Sequence, residues 1–121
     1  MSTSYETFCE EMTETNRRFT AVLFKLSNAV LVFFYEGEEK IKLGTLAIAM
    51  PPFNSETCIS SVLLGERNSV ITRILAERVA NAFRGIALVS THLTEIREAE
   101  TNSKLFQVTT NLLKKAGAEG Y

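Results

Sequence analysis

Hydrophobic residues in the first half of the chain recur at two-residue steps or in short unbroken runs, and later at three- and four-residue steps. The strongest run is Ala29–Tyr35, where β-branched and aromatic side chains occupy nearly every position. Such a run predicts a strand. Because alternate side chains of a strand point to opposite sides, this strand is apolar on both sides and needs cover on both.

Five other segments have strand character. They are Tyr5–Met12, Arg18–Leu26, Lys42–Met50, Thr57–Leu64 and Ile86–Ser90. The core of the third, Leu46–Met50, carries large residues on one side and two alanines on the other, and alanines let a helix approach closely. Pro51 and Pro52 cannot donate hydrogen bonds to a neighbouring strand, so they end the predicted strand Lys42–Met50.

A short polar pair, Ser27 and Asn28, separates two of these strand patterns. Asn tolerates a positive φ, so the pair predicts a tight turn and an antiparallel hairpin. The expected cross-strand partners are Leu26 with Ala29, Phe24 with Leu31, and Val22 with Phe33. A shift of one residue would exchange the two faces of one strand.

Beyond residue 65 the spacing becomes helical. A first apolar stripe follows a cap at Asn68 or Ser69 and ends at Gly85. Its members are Ile71, Ile74, Leu75, Val79, Ala82 and Phe83. A second stripe starts at Asn102 or Ser103 and has the same period.

The predicted order of elements is therefore βββββαβα. Closely spaced strands are joined mostly by hairpins, so the fold class is α+β, with a mainly antiparallel sheet of about six strands and two helices on one face. A chain of 121 residues is expected to form a single domain, 1–121. Residues 1–4 are mostly small and polar, and we expect them to be flexible.

Charge and cysteine content narrow the classes of partner. The formal net charge of −1 argues against nucleic-acid binding, which needs a basic surface.

The chain starts with polar and acidic residues, unlike a signal peptide, and its apolar runs are far shorter than the about 20 residues of a membrane helix. Cys9 and Cys58 are too few for a disulfide scaffold, and reduced, at least half-buried thiols suit the cytoplasm and also the nucleus.

Candidate catalytic groups are few. His92 is the single histidine, and as a catalytic base it would need a nucleophile and an orienting acid beside it. Ser90 and Thr91 are close in sequence, but a histidine at the surface or at a strand end is the simpler interpretation. Cys58 lies in an apolar strand, and the acids beside Cys9 would raise its pKa and lower its reactivity. The sequence therefore predicts no catalytic, cofactor or metal site.

Several short stretches of the chain have a distinctive order and spacing. They are Leu46–Met50, Ser61–Gly65, Leu75–Ala80, Leu88–Ser90 with Leu93, the hairpin Phe24–Phe34 and the final helix Leu105–Lys115. In this order they resemble the proteasome assembly chaperone 4 family. The resemblance covers the chain from about Arg18 to Lys115, and the acidic N-terminal segment departs from it.

The resemblance implies a non-catalytic chaperone subunit without a cofactor. Members of that family pair with the related assembly chaperone 3, and the pair binds α-type subunits of the 20S proteasome during early α-ring formation. The residues themselves leave two alternatives open. One is a dimerisation module of the profilin or longin type in a trafficking or signalling scaffold, and the other is a small enzyme that uses His92 or a cysteine.

The predicted hairpin offers a candidate partner surface. One of its sides is not interrupted by charge, and we place that side beneath the two helices. Its members are Val22, Phe24, Leu31 and Phe33. The other side is then expected to be open and to pack against the sheet of a partner, because a monomer seldom exposes so many large apolar side chains. Its candidate residues are Leu23, Lys25, Val32 and Phe34. The alternative is that the N-terminal segment or a long loop covers it.

Overall fold

The structure, a computed structural model, describes residues 6–14, 17–37, 40–51, 58–94 and 99–118. Within them, six strands and two helices follow one another in the predicted order βββββαβα. They are β1 (Glu6–Glu14), β2 (Arg17–Lys25), β3 (Ala29–Glu36), β4 (Thr45–Met50), β5 (Ile59–Leu64), α1 (Ser69–Phe83), β6 (Ile86–His92) and α2 (Ala99–Lys115). The expectation of flexibility for residues 1–4 lies outside the described residues.

The strands form one mixed sheet in the order β1-β2-β3-β6-β4-β5. Every neighbouring pair is antiparallel except β3 and β6, which are parallel. The crossover from β5 through α1 makes β6 run parallel to β5. Because β4 lies between β5 and β6 and is antiparallel to both, while the chain reverses direction between β3 and β4, β6 also runs parallel to β3. The predicted α+β class is confirmed.

The predicted hairpin between β2 and β3 is also confirmed. Phe24 lies opposite Leu31, and Val22 lies opposite Phe33. The backbone N–H of Leu26 donates to the carbonyl of Ala29 at 2.9 Å, which closes the two-residue turn.

Several boundaries differ from the sequence prediction. β4 begins at Thr45, so residues 40–44 precede the sheet, and β6 continues to His92. Gly44 explains the first difference, because a Cβ there would lie 2.1 Å from the backbone oxygen of Thr91. That close approach holds the segment against β6 without the regular pairing of a strand. α2 begins at Ala99, earlier than Asn102 or Ser103.

The two faces of the hairpin are exchanged relative to the prediction. Leu23, Val32 and Phe34 are 0%, 1% and 2% exposed and belong to the core that the helices complete. The predicted core residues Val22, Phe24, Leu31 and Phe33 alternate with them and therefore lie on the other side of the sheet. The assignment of sides was wrong.

The wrong assignment of sides comes from interpreting Lys25 as a mark of the open side. Its ammonium donates to the backbone carbonyl of Ala116 at 3.1 Å, just past the end of α2, and lies 5.7 Å from the centre of the Phe83 ring. A lysine can cover apolar surface with its stem while its charge meets the negative end of a helix. A charged residue in this position therefore does not mark the open side.

Alanines set the packing of α1 on the sheet. Ala47 and Ala49 of β4 are both fully buried, as are Ala76 and Ala80 of α1, and all four belong to one apolar core. Small side chains on both surfaces let the helix backbone come close to the strands. The sequence prediction that the alanine side of β4 lies beneath a helix is confirmed.

Candidate functional site

The sheet surface opposite the helices is the main candidate site, and we call it the open face. Strand register assigns to it the side chains that alternate with the core residues. Its apolar members are Val22, Phe24, Leu31, Phe33, Tyr35, Leu46, Ile48, Met50, Ile59, Leu64, Ile86 and Leu88. Both described helices lie on the other side, so neither covers this surface.

The side chains of the open face shield one another, so that Val22 and Tyr35 are buried, while the others keep part of their surface accessible. The rings of Phe24 and Phe33 meet edge to face, with centroids 5.9 Å apart and an interplanar angle of 85°. Both residues are half-buried, whereas Ile59 on the outer strand β5 is 73% exposed. Aromatic residues in a continuous apolar surface are typical of the centre of a protein interface.

The β1 margin of this surface is polar. Cys9 and Glu11 lie on the same side as Val22 and Thr20, their cross-strand partners. Glu11 accepts a hydrogen bond from Arg18 at 2.7 Å, and both side chains are exposed. An apolar centre with a polar border has the anatomy of an association surface.

The residues predicted for partner binding are located elsewhere. Leu23, Val32 and Phe34 are buried beneath the helices, and Lys25 is half-buried at the end of α2. Leu23, Val32 and Phe34 therefore offer no surface to a partner, and the ammonium of Lys25 is engaged with the carbonyl of Ala116. The prediction that the face opposite the helices packs against a partner's sheet stays a prediction, now carried by Phe24, Phe33 and their neighbours.

A cleft of about 540 Å³ lies where β3, β5 and β6 end and α1 begins. It is lined by Glu36, Lys42, Gly44, Thr45, Gly65, Glu66, Arg67, Thr91, His92, Leu93 and Thr94. His92 thus lies in a cleft with other titratable side chains, which is the arrangement that the enzyme alternative requires. Sequence reasoning missed this cleft because its lining comes from four separate segments.

Glu36 is already engaged in an internal network. Its Oε1 accepts hydrogen bonds from Arg17 Nη2 at 2.7 Å, from the Thr94 backbone N–H at 2.6 Å and from the Thr94 hydroxyl at 2.9 Å. Burial alone would raise the pKa of this carboxyl, but the bonds from Arg17 and Thr94 outweigh it and lower the pKa below its usual value of 4.5. The carboxylate is held as an anion by Arg17 and Thr94, and no hydrogen bond between described residues joins it to His92.

The hydroxyl groups near His92 have structural partners as well. Ser90 Oγ accepts a hydrogen bond from the Gly44 N–H at 2.9 Å, and the hydroxyls of Thr91 and Thr72 are 2.7 Å apart. Ser90, Thr91 and Thr72 are all buried. Among the described residues, these three hydroxyls are therefore engaged with partners other than His92.

The two cysteines are free thiols with little reactivity. Cys9 is exposed and not half-buried as predicted, whereas Cys58 is half-buried. The pKa of each is raised, first by desolvation and then by acids, Glu11 near Cys9 and Glu77 near Cys58. Across the part of the chain that the structure describes, no cluster of three or more histidines, cysteines and carboxylates could hold a metal ion.

The fold and the open face together define a class of protein, a two-layer α+β domain with one sheet face uncovered by its own helices. Among solved structures, the chain is similar to one from the crystal structure of a chaperone complex for yeast 20S proteasome assembly. The two chains align over 93% of this chain and 91% of that one, with a TM-score of 0.59 and 13% sequence identity. At that identity the likeness shows a common fold.

Comparisons of sequence give nothing further. No family model matches the chain, and no curated protein matches it significantly. No helix in the described ranges is long and apolar enough to cross a membrane.

Proposed function

We propose that this chain is a non-catalytic subunit of a proteasome assembly chaperone and pairs with a related chaperone through the open face. The observation that carries the proposal is the large apolar sheet surface around Phe24 and Phe33, which the helices leave uncovered. The common fold with a chain of the yeast assembly chaperone complex supports it, as does the resemblance in the order of short sequence stretches.

The mechanism is templated association. Two open faces packed against each other form a double sheet with the helices outside, and each buries the apolar surface of the other. Burial contributes about 25 cal/mol per Å², so even a few hundred Å² give several kcal/mol before the costs of association. A chaperone pair that holds a client, the protein whose assembly it promotes, in a fixed orientation needs surface complementarity and no reactive group.

The resemblance indicates which partners to test. The paired subunit would be assembly chaperone 3, and the client of the pair would be an α-type subunit of the 20S proteasome during early α-ring formation. No cofactor, nucleic acid or membrane takes part in this mechanism. The place of action would be the cytoplasm, and also the nucleus.

Mild affinity purification of the intact chain from cell extract tests the function. The expected result is co-purification of one small chaperone with a related fold together with proteasome α-type subunits, both identified by mass spectrometry. Recovery of neither contradicts the proposal. Recovery of a trafficking or signalling scaffold instead would favour the profilin- or longin-like dimerisation module.

A further inference from the structure

Several exposed apolar side chains lie near the cleft at one end of the sheet. Ile41 and Leu43 are 42% and 58% exposed, although only Gly44 separates Leu43 from β4. They alternate with Lys40 and Lys42, which are also exposed. Leu64, 47% exposed, lies where this end meets the open face. Neighbouring apolar side chains that are exposed in this way mark a candidate contact surface.

We call this region the tip surface and define it by five residues. They are Ile41, Lys42, Leu43, Arg67 and His92. Lys42, Arg67 and His92 line the cleft, and Leu43 precedes Gly44, which also lines it. The set therefore belongs to one continuous region of the surface, at the end of the sheet opposite the turn between β2 and β3.

The backbone that carries the tip surface is fixed by tight contacts. Gly44 packs on the backbone of Thr91 and donates its N–H to Ser90 Oγ at 2.9 Å. Gly65 has a φ of +88°, and a Cβ there would lie 2.7 Å from Thr45 Cα. The Thr45 hydroxyl donates to the carbonyl of Arg67 at 2.6 Å. A contact surface held in place in this way loses little conformational entropy on binding.

The charges of the tip surface are unevenly compensated. Neither the Lys42 ammonium nor the Arg67 guanidinium forms a hydrogen bond or ion pair with any described residue. Of the two carboxylates among the described residues that line the cleft, Glu36 is neutralised by Arg17, and Glu66 is exposed. Among these described residues the cations exceed the uncompensated anion, and a binding segment that carries carboxylates would be complementary.

We propose that the tip surface binds an acidic segment of the client proteasome subunit, with apolar client side chains on Ile41 and Leu43 and client carboxylates at Lys42 and Arg67. This inference rests on the proposed function, and it separates two tasks. The open face holds the partner chaperone, and the tip surface holds the client. Leu64 at their border makes the two surfaces adjacent.

The test compares two tip variants with two matched controls. Leu43→Ser and the double variant Lys42→Glu with Arg67→Glu alter only exposed side chains. Leu26→Ser and Arg84→Glu make the same kinds of change at exposed positions at the other end of the sheet. Each full-length variant is combined with assembly chaperone 3, and the affinity of the pair for purified 20S α-type subunits is measured at two salt concentrations.

Both tip variants should weaken client binding by about tenfold or more while the affinity for the partner chaperone changes less than about twofold. The wild-type affinity should fall as salt rises, and the charge-reversed variant should lose most of that dependence. Both controls should bind like the wild type.

The contrary results distinguish a failure of the proposed function from a failure of the tip-surface assignment. If the wild-type pair binds no α-type subunit, the proposed function fails and this inference fails with it. If the wild-type pair binds and the tip variants bind equally well, only the tip assignment is overturned. Loss of the partner chaperone in the tip variants, or self-association of the chain through Lys42 and Arg67 in sedimentation, also overturns it, because the surface would then have another occupant.

Discussion

Glu36 shows how one residue ties three parts of the chain together. Its carboxylate at the end of β3 accepts bonds from Arg17 at the start of β2 and from Thr94 after β6. The side chains of Glu36 and Arg17 are 26% and 31% exposed, so solvent screens the pair only partly. This network fixes the positions of Glu36 and Thr94, two residues that line the cleft.

Glu36→Gln should lower the free energy of unfolding at pH 7 by about 1–2 kcal/mol, because the amide cannot replace the charged acceptor. The pKa of Glu36 is lowered in the folded chain. The ionised carboxylate of Glu36 therefore stabilises the folded chain at pH values above the usual carboxyl pKa. This stabilisation is lost as the pH falls through the lowered pKa of Glu36 in the folded chain. Urea unfolding from pH 7 down to pH 3 should show the two proteins converging. A difference that is constant with pH would contradict this account.

Phe34 tests the corrected assignment of faces at the residue scale. Its side chain is 2% exposed in the core beneath the helices. Phe34→Asp places an unpaired charge there and should cost about 4 kcal/mol or more, enough to unfold many domains. Circular dichroism and thermal unfolding of the isolated chain measure this. A Phe34→Asp variant as stable as the wild type would contradict the corrected assignment and indicate that Phe34 lies on the open face.

Among the elements, β4 depends on the glycine that precedes it. Gly44 lies against the β6 backbone with no space for a side chain, since a Cβ would be 2.1 Å from the Thr91 oxygen. Gly44→Ala should therefore destabilise the fold by about 2–4 kcal/mol through forced separation of the two backbones.

Gly85, between α1 and β6, is the matched control. A Cβ there would meet nothing closer than the Asn28 oxygen at 3.9 Å, so Gly85→Ala should change the melting temperature little. Differential scanning calorimetry of Gly44→Ala and Gly85→Ala gives both values. Equal melting temperatures for the two variants would show that the contact of Gly44 does not stabilise the sheet.

Local sequence patterns predicted the elements and the hairpin well, because these depend on neighbours in the chain. Ser27 and Asn28 define the turn, and the turn determines the register of β2 and β3. The alanines at positions 47 and 49 predicted the contact with a helix, which is confirmed. Each of these signals is contained within about ten residues.

The choice of face could not be made within the hairpin. Register relates β2 to β3, but which side the helices cover depends on where α2 crosses, and that is a long-range contact such as Lys25 with Ala116. The signal that could have settled it is Ala47. It lies opposite Val89, which lies opposite Val32, so the alanine side and the Val32 side are the same. Reading that relation requires the strand order.

At the scale of the whole molecule, the helices complete one side of a sheet that is apolar on both sides. Leu23, Val32 and Phe34 lie on the covered side, and Phe24 and Phe33 lie on the open side. The covered side forms the core, and association with a partner would remove the apolar side chains of the open side from water. The cleft at one end adds a second surface without overlapping the centre of the first.

The affinity of the chain for its proposed partner, assembly chaperone 3, tests the central claim, that the open face is the pairing surface. Phe33→Asp should weaken this affinity about 100-fold or more, because it places a charge at the apolar centre of the interface. Val70→Asp is the control, since Val70 is 69% exposed on α1, and it should bind like the wild type. Both variants should keep the wild-type circular dichroism spectrum. Wild-type affinity in a folded Phe33→Asp variant would contradict the account.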